Sequence, residues 1–242
     1  MAIRYKTRAF VFKKDDRNES DRVFSVFTED FGRLDIFGKA IRKNASKLRS
    51  GIDTFFTSEI EFIQGKNRKT LTDALALKKF NNITGDLGKF KIANGIGGIL
   101  DSLISGEQKD EEIFDLLEES MERLNGSDTR MLIYYYFLWN MLSLLGYHSE
   151  VQECAGCHEA LTPQGLNFSS KEGGVICKNC STHGSGQKIN ADIVKILRLI
   201  LKKDWQTLSK LKIELSSQKV FEKVSDSYYS YILSSHSDII IK

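Results

Sequence analysis

Outside one short segment this chain of 242 residues has no cysteine; all four fall in Cys154-Ala-Gly-Cys157 and Cys177-Lys-Asn-Cys180. Proline is rarer still, with Pro163 alone, and no low-complexity tract or internal repeat is present. Long apolar runs are also missing. Met1-Ala2-Ile3-Arg4 brings charge at once with no apolar stretch behind it, so no signal peptide is expected. Met131 to Ser149 is uncharged and nearly long enough to cross a bilayer. It carries Asn140, Ser143, Gly146, His148 and four tyrosines, however, and reads as a helix buried in protein. The expected compartment is the cytosol, where thiols stay reduced. There is no phosphate loop of the G-x4-G-K-[ST] kind; Asn94-Gly-Ile-Gly-Gly98 lacks the lysine and reads as a closely packed helix. No His/Asp/Ser grouping is recognisable. Asp110, Glu111, Glu112, Glu118, Glu119 and Glu122 read as the solvated outer face of one helix, so no enzymatic activity is expected.

The two C-x2-C pairs are separated by 19 residues, the spacing of a four-thiolate zinc site. Each pair sets two sulfurs on a tight turn of small or polar residues. Four protein ligands leave no open coordination position, so Cys154, Cys157, Cys177 and Cys180 are expected to hold one structural zinc ion. The alternatives are two disulfides, which nothing marking the chain as secreted supports, or a redox pair. A redox site usually has a single C-x2-C at a helix N-terminus. His158 and His183 flank the pairs as bystanders, and His148 and His236 have no visible partners.

Net charge is +3, but it is unevenly spread: residues 1–80 hold 18 Lys and Arg against 11 Asp and Glu, a net of +7. The remainder nets −4, with 17 against 21. A polyanion is therefore expected to bind the first third, with a solvated basic face as the plainer reading. That third reads as five short strands: Thr7–Phe12, Arg22–Thr28, Arg33–Gly38, Thr54–Ile63 and Leu71–Phe80, with Lys13 to Asn18 as a polar turn. Short strands with turn signals between them suggest a small barrel. From about residue 83 the spacing is helical. Ile113, Leu116, Leu117, Met121 and Leu124 form one stripe, and Ile189, Ile193, Ile196, Leu197, Ile200 and Leu201 another. The expected class is α+β: an N-terminal OB-fold β-barrel, then a helical bundle with an inserted four-cysteine zinc ribbon. The expected division is 1–80 for the barrel, 81–150 and 188–242 for the helical domain, and 151–187 for the zinc-binding segment.

Eleven residues, Lys39 to Arg49, carry five positive charges and no acid. Following the third strand, Lys39, Arg42, Lys43, Lys47 and Arg49 could neutralise successive phosphates with little sequence preference. Lys66 and Arg68, on a hairpin tip, and Arg4 are weaker candidates. Phe10, Phe12, Phe24, Phe27, Phe31 and Phe37 are possible stacking platforms for bases, although strand residues of this kind mostly face a core. An RNA-binding zinc-ribbon protein and a non-catalytic assembly scaffold are the alternatives.

Glu19-Ser20-Asp21-Arg22, then Phe27-Thr28-Glu29-Asp30-Phe31-Gly32-Arg33-Leu34, then Gly38-Lys39-Ala40-Ile41-Arg42-Lys43 with Ser46-Lys47-Leu48, resemble the N-terminal signature of the bacterial recombination mediator RecO family. Phe137-Leu138 through Leu144-Leu145-Gly146-Tyr147, followed by the cysteine pairs, resemble its helical and zinc-binding regions. Gly38-Lys39-Ala40 stands where many relatives have Ala-Arg-Gly. The resemblance implies the OB-fold barrel, the bundle and the zinc ribbon. It further implies binding of single- and double-stranded DNA, annealing of complementary strands, and cooperation with RecR in replacing single-strand-binding protein by RecA in recombinational DNA repair. It also implies a nucleoid-associated cytoplasmic setting and a helical domain that holds the C-terminal tail of single-strand-binding protein, with Arg130 as a candidate contact.

Overall fold

Short apolar and β-branched runs separated by polar turns fill much of the first 80 residues, and the chain forms five strands there: β1 (Arg4–Arg17), β2 (Asp21–Thr28), β3 (Gly32–Gly38), β4 (Phe56–Gln64) and β5 (Lys69–Lys79). The structure, a computed structural model, describes residues 3–181 and 186–240, with side chains through residue 235. Met1, Ala2, His183 and the side chain of His236 lie outside the described residues. Two units are distinguished, Met1–Phe137 and Leu138–Lys242.

In the first unit the strands close in the order β1-β2-β3-β5-β4, with β4 pairing back to β1. All pairs are antiparallel except β3 with β5, which meet in parallel at Ile36–Lys69 and Phe37–Thr70. This is the α+β class expected, with an OB-like barrel at its start. Ala9, Val11, Phe24, Val26, Leu34, Ile36, Ile60, Phe62 and Leu71 fill its interior.

One expectation is corrected at the first hairpin. Lys13 to Arg17 is not a turn; β1 bulges between Val11 and Lys13 and runs on to Arg17, opposite Asp21 to Ser25. Charged residues of both signs make an exposed ribbon there without needing a buried face, so their polarity mimicked a turn. Only Asn18 to Ser20 reverse the chain.

Helices follow the barrel: α1 (Asn81–Thr84), α2 (Leu87–Leu103), α3 (Glu111–Gly126) and α4 (Arg130–Leu144). Asp86 and Asp110 cap α2 and α3, accepting the Lys89 and Ile113 N–H groups at 3.0 Å each, as N-cap carboxylates do. The Asn94–Gly98 run is helical, and its glycine serves close approach: a Cβ at Gly97 would lie 3.2 Å from the Phe12 carbonyl oxygen. Glu118 is a second correction. Instead of facing solvent it is 9% exposed and accepts from Arg8 at 2.8 Å and Lys78 at 3.1 Å. Burial disfavours its charge, but Thr57, Lys78 and Arg8 outweigh that and hold its carboxyl below the ordinary range. Two cations inside reach stabilise an inward-facing carboxylate, so helical periodicity alone misplaces it.

In the second unit, the cysteine segment carries a three-stranded sheet of β6 (Asn167–Ser169), β7 (Gly174–Ile176) and β8 (Gln187–Lys188), in the order β7-β6-β8. It is followed by α5 (Ala191–Leu201), α6 (Trp205–Leu208) and α7 (Leu215–Ile240). The end of α4 supplies this unit's largest buried side chain. Trp139 lies 5.2 Å from Tyr228 in a stacked arrangement and 5.5 Å from Phe168 edge to face; its indole N–H donates to Ser225 at 2.9 Å. Arg198 of α5 donates to the Val151 and Gln152 carbonyls at 2.8 and 3.2 Å, fastening the helix to the start of the cysteine segment. Among the described residues no helix is long and apolar enough to cross a membrane.

Candidate nucleic-acid interface and metal centre

The connection from β3 to β4 carries no α-helix. It is a run of turns with one 3-10 turn at Lys47–Ser50, and two apolar residues root it: Ile41 and Ile52, each 2% exposed, enter the barrel core. Burying side chains of this size contributes about 1.5–3 kcal/mol each, which offsets the ordering of an otherwise polar loop. Between these roots Arg42, Lys43, Lys47 and Arg49 are all exposed, as is Lys39 just before the first.

The loop is also held from outside, by the turn between β1 and β2. The Asp21 carboxylate accepts the Ala40 N–H at 2.7 Å, and the Ser20 carbonyl accepts the Arg42 N–H at 3.0 Å. The Arg42 guanidinium donates to the Asn18 carbonyl at 3.3 Å and stands 3.5 Å from Asp16. The Ala40 N–H keeps the Asp21 carboxyl below its usual range against a cost from burial, helped by Asn18, Ser20 and the Arg68 charge. Ala40 has φ +53°, a left-handed conformation that costs a residue with a Cβ about 1–2 kcal/mol. Glycine, which the family resemblance places at this position, adopts it freely. Asp21 was legible as part of a motif, but not as the residue that holds the basic loop.

Removing this latch makes a test with a useful sign. Taking an acid away from a polyanion site strengthens binding on charge alone. If the latch positions the loop, Asp21→Ala instead weakens single-stranded DNA affinity, by about tenfold or more for one lost hydrogen bond to a charged group. Titration of a labelled oligonucleotide decides between the signs.

Among the described residues, Lys39, Lys43, Lys47, Arg49, Lys66 and Arg68 pair with no carboxylate. A cavity of about 450 Å³ is lined by Lys14, Arg22, Arg42 and Arg49 together with Asn44 and Asp53. Three of these cations are engaged, Lys14 with Asp53, and Arg22 and Arg42 with Asp16 at 2.7 and 3.5 Å. A second groove, of about 500 Å³, opens beside the β4–β5 hairpin and takes in Arg33, Lys66, Arg68 and Lys69. Arg33 and Lys69 are bound to Asp101 and Glu107. Arg4 opposes Ile63, just before this hairpin. Arg22 and Arg33 sit in strands, where no local run of charge marks them, whereas Lys14 belongs to the polar run Lys13 to Asn18 and Lys69 to the charged cluster Lys66 to Lys69.

Of the six phenylalanines considered for stacking, Phe10, Phe12, Phe24 and Phe27 are buried at 3% exposure or less. Phe31 is half-buried and packs against Tyr5 and Phe62. Phe37 is buried with its ring 3.9 Å beneath the Arg68 guanidinium carbon. Arg130 donates to Asp86 at 2.8 Å.

The four cysteine sulfurs lie within 4.8 Å of one another, and all four are free thiols. Tetrahedral zinc with sulfur at ~2.3 Å requires sulfur–sulfur separations of about 3.8 Å, and Cys157 to Cys177 measures 3.9 Å. Burial opposes the Cys154 thiolate, but the Cys177 N–H, 3.2 Å from its sulfur, and those of Cys157 and Gly156 bring its pKa down to about 6. Cys180 is pushed up to about 12 by the sulfurs of Cys157, Cys154 and Cys177. Four thiolates at this separation repel unless a cation sits among them, so the donor set fits a divalent metal with a preference for sulfur. Gly156 is required for closeness: a Cβ there would stand 3.1 Å from the Cys180 sulfur. His158 bonds Glu153 at 3.0 Å, outside the thiolate set.

Comparison with known proteins adds a family. The model described as Recombination protein O N terminal matches residues 1–80, and Recombination protein O C terminal matches residues 85–237. The chain is similar to the DNA repair protein RecO of Dehalococcoides mccartyi, 33% identical over 209 residues that cover 86% of this chain and 83% of that protein. It is also similar to the DNA repair protein RecO of Caldanaerobacter subterraneus, 26% identical over 226 residues, covering 92% and 90%. Its counterpart in Halalkalibacterium halodurans is 24% identical over 226 residues, covering 93% and 88%.

Proposed function

The chain belongs to the recombination protein O family, and from that footing we propose that it is a DNA-repair mediator that works by binding and annealing DNA without catalysis. The observation that carries this reading is the basic loop after β3, rooted in the barrel by Ile41 and Ile52 and latched to the β1–β2 turn through Asp21. Unpaired cations held on a fixed backbone neutralise phosphates and release counterions. Two strands drawn to such a surface lose much of their mutual repulsion, and base pairing then proceeds without nucleotide hydrolysis. The reading extends to both single- and double-stranded DNA as ligands and to RecR as a partner. In it, RecA is loaded where single-strand-binding protein is displaced, the acidic tail of that protein meets the helical region near Arg130, and the setting is the nucleoid of the bacterial cytoplasm. Residues 1–80 act as the DNA-binding domain, 81–150 with 188–242 as the helical domain, and 151–187 as a zinc-braced segment with a single structural ion.

Annealing of two complementary oligonucleotides, followed by energy transfer between end labels, tests the core of the proposal. The protein should accelerate duplex formation over the spontaneous rate at low salt and lose that effect as salt rises. A protein that leaves the rate unchanged while binding structured RNA tightly would overturn it.

A further inference from the structure

We propose that Phe37 is a base-stacking platform for single-stranded DNA, covered by the Arg68 guanidinium until a nucleobase takes its place. The inference rests on the DNA-binding reading above and names the contact by which unpaired strands are told from duplex. Phe37 pairs across the sheet with Val23, on the face opposite the one that sends Phe24 and Ile36 into the core. Phe37 is 9% exposed, and the Arg68 guanidinium carbon lies 3.9 Å above its ring. Arg68 is itself exposed on the hairpin tip, pairs with no carboxylate among the described residues, and contributes a cation–π contact that is weak at a solvated site. A neutral base is a better partner for the ring face than a hydrated cation, and every base presents such a face. Lys66 lines the same groove. The displaced guanidinium and Lys66 would then meet the flanking phosphates, so one movement uncovers the ring and supplies charge to the strand. The other five phenylalanines considered for this role are committed to packing, which leaves Phe37 to fill it.

The experiment uses the full native chain with oligothymidine carrying 5-iododeoxyuridine, cross-linked by long-wavelength light and mapped by peptide mass. A cross-link at Phe37 is expected. Phe37→Leu should lower single-strand affinity roughly tenfold and leave double-strand affinity and the salt slope unchanged, while Phe37→Tyr binds as the native protein does. Arg68→Ala should instead make the salt slope shallower by about 0.7. Cross-links confined to other peptides would overturn the inference, as would equal losses for both forms of DNA. Should Phe37→Leu fail to fold, the native cross-link and the Tyr variant still decide. A native protein that binds no DNA at all overturns the functional reading as well, whereas binding without a contact at Phe37 overturns this inference alone.

Discussion

Replacing Arg42, Lys43 and Lys47 together by alanine should lower affinity for single-stranded DNA about a hundredfold at 0.1 M salt and flatten the dependence of log K on log salt by about 2. Each phosphate neutralised on a single strand contributes a slope of roughly 0.7. Three contacts therefore supply about two decades between 0.1 M and the 1 M reference, and almost none at 1 M. Lys43 and Lys47 are exposed and free of carboxylates, so they carry their full charge to the ligand. Arg42 is shared with Asp16 at 3.5 Å and with the Asn18 carbonyl at 3.3 Å, and part of its charge is already spent. The loss should accordingly be smaller for Arg42→Ala alone than for Lys43→Ala alone. The fold should survive, because the loop is rooted by Ile41 and Ile52 and not by its charges. Binding isotherms across a salt series check both numbers, and parallel lines for native and variant proteins would refute the assignment.

How much of this was legible in the sequence follows from how local each signal is. Alternation in Ile60 and Phe62 against Glu59 and Glu61 marks a half-buried strand by itself, and the other four strands show as short runs between turn signals. The apolar stripe from Ile113 to Leu124, with acids at its N-terminal end, placed α3, since that signal lies within one helix. The cysteine spacing located all four thiols of the cluster. What was missed depends on partners far along the chain. Glu118 is buried because Arg8, 110 residues away, and Lys78, 40 residues away, meet it; its neighbours in sequence say only that it is charged. Asp21 holds Ala40 across 19 residues, and only the fold brings β2's start beside the end of β3. The strands β6 and β7 have three residues each, too few for a period to emerge among the glycines and serines around them. Their burial comes from the sheet and from Trp139, not from their own pattern.

The second large effect lies at the cysteines. Cys154→Ser should abolish stoichiometric metal binding and unfold the segment around it. Cys154 is the fully buried member of the cluster, its sulfur receives the N–H groups of Cys177, Cys157 and Gly156, and it is brought down to a pKa of about 6. A serine hydroxyl does not ionise in that range, so it offers neither the charge the metal needs nor the acceptor those donors point at. In small zinc domains the bound ion supplies about 10–16 kcal/mol of apparent folding free energy, far more than β6 to β8 can supply from a few short pairings. Cys157, which is exposed, should tolerate serine better in folding, although not in metal affinity. Phe168 on β6 packs edge to face on Trp139 at 5.5 Å, so loss of the metal should reach that indole and shift its emission to longer wavelength. Chelation of the native protein should produce the same shift. Affinity for single-stranded DNA should meanwhile change little in Cys154→Ser, since every cation assigned to that work lies in residues 4–68. Zinc content, thermal unfolding and DNA titration on one preparation separate these effects. A metal-free Cys154→Ser protein that keeps full stability and the native emission spectrum would show that the cluster does not brace the fold.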